Sequence, residues 1–109
     1  MNSFEYAPAP ESKSVVKIEK DYDLFIGGKF VSARSKKRFA TINPATEEIL
    51  SKVALADNKD VDRAVNAARS ALNKSWTRTK PRERAKYLYR IARILQERAR
   101  EFAVLESLN

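Results

Sequence analysis

The chain has 109 residues, 22 Lys+Arg against 14 Asp+Glu, and neither histidine nor cysteine. Without imidazole or thiol groups it cannot build a His/Cys metal site, a Cys nucleophile or a Ser-His-Asp relay. Its two glycines are adjacent, Gly27 and Gly28, so neither a G-x-G-x-x-G dinucleotide turn nor a phosphate-cradling P-loop can be written. An apolar content of 43% in about one domain's length allows a modest core. Apolar runs fall far short of the roughly 20 residues that cross a bilayer, so no membrane span is expected. No signal-peptide core is visible, and with cysteine absent the expected location is cytoplasmic.

In chain order, residues 1–20 mix Pro8, Pro10, serines and charges without a sustained apolar period and read as a mobile tail. Val15, Val16 and Ile18 within it are suited to pairing on a sheet edge. Leu24-Phe25-Ile26 and Phe30-Val31 flank Gly27-Gly28, and glycine supplies the positive φ of a primed hairpin turn. Phe39-Ala40-Thr41-Ile42 and Ile49-Leu50-Ser51-Lys52-Val53 flank Asn43-Pro44-Ala45-Thr46, where Pro44 lacks an N–H and moves Asn43 out of the helical region. Residues 22–55 therefore read as two hairpin-like units.

Asp57 is placed to cap a helix over about 58–72, with Asp60 and Asp62 near its positive end. Val61, Ala64, Val65, Ala68, Ala71 and Leu72 fall on one face of that helix. A polar link contains Trp76, read as a packing residue where the chain turns back. Thr79 or Lys80 then caps a second helical stretch over about 81–108, with Pro81 in its first turn. Ala85, Leu88, Ile91, Ala92, Leu95, Ala99, Phe102 and Leu105 line its apolar face. The stretch is one helix, or two joined near Arg98–Arg100. The set of elements is α+β. Either it closes barely on itself as a small sandwich, or its apolar faces belong against further protein.

Between Lys74 and Arg100 there are ten basic and two acidic residues, with Trp76, Tyr87 and Tyr89 interleaved. Such a stretch suits phosphate neutralisation and base stacking. It equally suits the solvated face of an amphipathic helix, because Arg82, Lys86, Arg90 and Arg93 avoid the apolar stripe. No nucleic-acid motif accompanies the charge, and the solvated face is preferred. A small basic module binding nucleic acid or protein is the alternative.

Five segments in register carry a further indication: Phe25-Ile26-Gly27-Gly28-Lys29-Phe30-Val31, Thr41-Ile42-Asn43-Pro44-Ala45-Thr46-Glu47-Glu48, Asp60-Val61-Asp62-Arg63-Ala64-Val65, Trp76 with Pro81-Arg82-Glu83-Arg84-Ala85, and Leu105-Glu106-Ser107-Leu108-Asn109. Together they resemble the N-terminal segment of the NAD(P)-dependent aldehyde dehydrogenases, over about residues 22–109. The resemblance implies that residues 21–109 belong to the dinucleotide-binding, Rossmann-like α/β part of that fold. It also implies an oxidoreductase activity, aldehyde to carboxylic acid, with NAD or NADP as cofactor. In the family the catalytic Cys, the general-base Glu, the oxyanion Asn and the dinucleotide turn lie downstream, so this chain is expected to be a scaffold, neither catalytic nor cofactor-binding alone. Its expected partners are the remainder of an aldehyde dehydrogenase chain and, in the complete enzyme, further copies.

The family often holds a monovalent cation, Na+ or K+, on main-chain and acidic oxygens. The positions that match are Thr41, Ile42 and Asn109, where Asn109 stands in place of a frequent Asp. Glu47 stands where many relatives have a turn glycine.

Overall fold

The structure, a computed structural model, describes residues 13–109. Five short strands precede three helices. Strand β1 (Asp21–Tyr22) runs parallel to β5 (Ile49–Ala54), and β5 pairs antiparallel with β4 (Arg38–Ile42), giving the sheet order β1-β5-β4. Strands β2 (Leu24–Ile26) and β3 (Lys29–Val31) form a separate hairpin. Of the expected tail, residues 1–12 lie outside the described residues. Residues 13–20 contain a 3-10 turn at Lys13–Val15 and lie along the last helix.

The glycine turn forms as its chemistry demands. Gly27 and Gly28 have φ of +63° and +82°, values a side chain resists and glycine accepts. Phe25 and Phe30 face each other across the hairpin, with rings edge to face at 5.1 Å. Space is not the reason for glycine at position 27, because an added Cβ would sit 3.9 Å from Ala67 Cβ. Backbone conformation is.

The second turn is organised by Asn43. Its side-chain oxygen accepts the Ala45 N–H at 2.9 Å, and its carbonyl accepts the N–H groups of Thr46 and Glu47 at 3.3 and 2.8 Å. Its own N–H donates to the Glu48 carbonyl at 2.9 Å. The residue is buried, with its backbone groups and its side-chain oxygen bonded, as buried polar groups require. Closing the turn puts Glu47 at φ +60°, a conformation that strains any residue with a Cβ.

Helix α1 (Asn58–Lys74) opens with a reciprocal cap. Asp57 Oδ1 accepts the Asp60 N–H at 2.9 Å, and Asp60 Oδ2 accepts the Asp57 N–H at 3.1 Å. Trp76–Arg78 form a 3-10 turn, after which α2 (Pro81–Glu97) starts with Pro81 at its first position and no side-chain cap on Lys80. The alternative over 81–108 resolves as two helices: α3 (Ala99–Leu108) follows a break at Arg98 (φ −106°, ψ 18°), whose guanidinium pairs with Glu101 one turn on.

The small closed sandwich is not formed. Among the described residues the buried apolar side chains are Ala33, Ala54 and Val104. Helix α2 has α3 as its principal neighbour and is covered by neither sheet. Among the described residues, α1 touches the β2–β3 hairpin near Ala67, and most of the apolar stripes of α1 and α2 meets no facing layer.

Glu47→Gly should relieve the left-handed strain by about 1 kcal/mol. Amide exchange at Asn43, which is bonded across this turn, is then expected to slow about fivefold. Unchanged or faster exchange would show that the turn is not strained at Glu47.

Candidate functional site

Three features of the surface bear on function, and the first fixes the orientation of α1. Asp60 is 1% exposed and sits at the mouth of the helix. Its carboxylate accepts the Arg34 N–H on both oxygens (3.2 and 3.1 Å) and the Asp57 N–H, and it pairs with Arg63 Nη2 at 2.9 Å. A buried carboxylate is tolerable only when its lone pairs are met in this way. Because Arg34 lies in the connector after β3, Asp60 ties the strand layer to the start of α1. Asp57 is held below the ordinary carboxylate range, first by the Asp60 N–H and then, more weakly, by Arg34.

The second feature is the apolar face so oriented. Val65, Ala68, Ala71, Leu72 and Trp76 line an open groove of about 540 Å³ along the last turns of α1. Alanine at positions 68 and 71 keeps the groove floor low, which lets a neighbouring element approach closely. Trp76 lies against Tyr87 of α2, ring centroids 6.0 Å apart, yet remains 42% exposed. The expected packing role is thus half fulfilled. On α2 the exposure is greater: Leu88 is 68% exposed, with Ile91, Ile94 and Leu95 also open. Burying a Leu, Ile, Val or Phe fully is worth about 1.5–3 kcal/mol. Half-exposed stripes therefore forfeit, in all, on the order of the 5–15 kcal/mol by which whole domains are stable.

The third feature is a cavity of about 270 Å³ between the sheet and α3. Thr41 and Asn109, far apart in sequence, both line it, together with Ser51 and Glu106. Ile42 is not part of its lining. It lies past a register irregularity between Thr41 and Ile42 and is half exposed. The Thr41 hydroxyl donates to the Ser51 carbonyl at 3.3 Å. Asn109 is the C-terminal cap of α3. Glu106 escaped the sequence reading, although it precedes Asn109 by three residues and so shares its helix face. Ser51 carried no signal of its own, being one polar residue in a strand. Among the described residues no three His, Cys, Asp or Glu side chains cluster as a multivalent metal would require.

The basic stretch spreads over α2 and its approach. Lys86 pairs with Glu83 (2.9 Å) and Arg84 donates to the Thr79 carbonyl (2.9 Å). No described helix is long and apolar enough to cross a membrane.

An open strand-and-helix scaffold of this kind, apolar on faces its own chain leaves bare, is a portion of a larger α/β fold. Residues 30–109 match the model of the aldehyde dehydrogenase family, and the chain belongs to that family. A solved mutant form of the Bacillus cereus aldehyde dehydrogenase superposes with a TM-score of 0.81 at 39% identity, covering 98% of this chain and 21% of that one. An indole-3-acetaldehyde dehydrogenase of P. syringae, solved with NAD+, gives 0.78 at 39% identity, covering 85% of this chain and 19% of that one. The cytosolic 10-formyltetrahydrofolate dehydrogenase of Xenopus tropicalis is 39% identical over 106 residues, 96% of this chain and 12% of the relative. The chain thus spans about an eighth to a fifth of these relatives. It matches the N-terminal, cofactor-binding part of their fold and contains no cysteine.

Asp57 gives a pH prediction. Its pKa is lower folded than unfolded, so its stabilisation of the cap is complete above the ordinary value of 3.8 and is lost as pH falls below it. Protection of the first-turn amides of α1, taken relative to the exchange rate of an unstructured chain at the same pH, should fall on acidification below about pH 4 in the native chain. In Asp57→Asn, which still caps, that acid response should shrink, and an undiminished response would assign it elsewhere.

Proposed function

We propose that this chain is the scaffold of the cofactor domain of an NAD(P)-dependent aldehyde dehydrogenase that oxidises an aldehyde to a carboxylic acid. Residues 21–109 form one piece of that domain. The observation that carries the reading is the pair of open apolar stripes on α1 and α2, on a portion of the fold that in relatives adjoins much more protein. The partner of those stripes is the remainder of an aldehyde dehydrogenase chain, assembled as a cytoplasmic homo-oligomer.

The chain's own residues do not fit a dinucleotide: Gly27-Gly28 are committed to a hairpin turn, and no Gly-rich strand-to-helix turn exists. Nor do they include a cysteine, the nucleophile that the family resemblance implies. Cofactor binding and hydride transfer therefore fall to the rest of the fold, and this chain orients that part by packing.

The donor set around Thr41 and Asn109 does fit a monovalent cation. Oxygen ligands suit a hard ion, and Thr41 and Asn109 bring theirs to one cavity. The third position the family resemblance implies, Ile42, lies outside the cavity lining. Glu106 restores the negative charge that Asn109 lacks. The ion, Na+ or K+, would be structural, tying the C-terminal end of α3 to β4.

The purified chain with NAD+ or NADP+ and a range of aldehydes should give no absorbance rise at 340 nm. Mixed with a relative's chain from which the matching N-terminal portion has been deleted, it should restore the rise. That restored activity should melt at lower temperature in choline chloride than in NaCl or KCl of equal ionic strength. Turnover by the chain alone would overturn the scaffold reading, and an identical melting temperature in all three salts would overturn the ion.

A further inference from the structure

Helix α3 has a neighbour that its apolar face does not explain. Its closest companion among the other elements, apart from α2, is the 3-10 turn Lys13–Val15, not a strand of the sheet. The segment from that turn runs beside α3 and ends in β1, the edge strand of the three-stranded sheet, where it is bonded to the other strands from Lys20 onward. The Lys20 carbonyl accepts both the Lys52 N–H (3.0 Å) and the Ser51 hydroxyl (3.2 Å). Asp21 and Tyr22 then pair in parallel with Lys52 and Val53.

Tyr22 joins the two sides. Its hydroxyl accepts the Glu19 N–H at 2.9 Å, folding the segment back on itself, and its carbonyl accepts from Arg38 Nη1 at 2.9 Å. Arg38 in turn pairs with Asp23, so the end of β1 is held from β4. The ring lines two adjoining cavities. In one it faces Phe102 and Leu105 of α3 with Val16, and in the other it stands with Ile18 beside Leu105 and Asn109.

We infer that residues 13–22 are a strap that clamps α3 onto the sheet, with Tyr22 as the positioning residue that links strap, sheet and helix. Through this clamp the strap also fixes the distance between Thr41 and Asn109. The inference goes beyond the scaffold role, because it assigns a specific task to a segment whose sequence reads as tail. Segments rich in rotamers order only when tied down, and here the ties, besides the β1–β5 pairing, are three hydrogen bonds to the Lys20 and Tyr22 carbonyls, with the Tyr22 hydroxyl bonding within the strap.

The test is hydrogen exchange, read by mass spectrometry, on the chain assembled with the deleted relative described above, or on the chain in its associated form if that assembly fails. Three forms are compared: the full chain, a form starting at residue 13 and a form starting at residue 21. Starting at residue 13 should leave exchange across residues 99–108 unchanged. Starting at residue 21 should accelerate it at least tenfold while residues 58–74 keep their protection, because α1 is capped independently by Asp57 and Asp60. Should the form starting at residue 21 lose protection everywhere, Tyr22→Phe, which deletes only the hydroxyl, decides. Faster exchange confined to residues 99–108 and the strap supports the clamp, and a profile identical to the full chain's overturns it. Retained protection of residues 99–108 in the form starting at residue 21 also overturns it. Absence of restored 340 nm activity would count against the scaffold reading alone, since the exchange comparison does not need catalysis.

Discussion

The structure depends on an imbalance of surfaces. Two 17-residue helices each carry an apolar stripe, while the described strands total 19 residues and are committed to pairing with one another. A sheet of three short strands cannot floor two such helices, and the described part of the chain encloses little beyond Ala33, Ala54 and Val104. Since burial of apolar area is the main favourable term in folding, most of the chain's stabilising potential is unspent in the form seen.

What the chain does settle by itself is local. Backbone conformation at Gly27 and Gly28, the Asn43 turn, the Asp57–Asp60 cap and Pro81 at the start of α2 all satisfy their backbone groups without help from a distant layer. Asp60 extends that local order one step, by accepting the Arg34 N–H and so fixing the direction in which α1 leaves the strands. Direction matters more than strength here. A stripe presented at the wrong angle would fail to meet its cover, so a buried carboxylate with every lone pair used is a reasonable device for aiming it.

Legibility in the sequence followed the same division. The hairpins, the Asp57 cap, Pro81 at the start of α2 and the apolar positions of α1 and α2 were readable because glycine φ, proline, Asx turns and a 3.6-residue period act within a few residues of one another. The break at Arg98 was left open, since neither proline nor glycine marks it. The parallel pairing of β1 with β5 was not readable, because a two-residue strand has no period. Of the cation positions taken from the family resemblance, the fold brings Thr41 and Asn109 to one cavity and leaves Ile42 off its wall. Glu106 and Ser51 joined them through tertiary placement that no spacing in the chain announces. The proposed strap was hardest of all: its bonds to β4 and β5 run through the Lys20 and Tyr22 backbone carbonyls, which every residue has.

Scanning calorimetry of the purified chain at several concentrations, with the association state followed alongside, tests the central claim most directly. The account predicts no cooperative endotherm for a monomer, and heat absorption only in associated species. A monomer melting in a single transition with an enthalpy of about 70 kcal/mol, as an ordinary closed domain of about 100 residues shows, would contradict it.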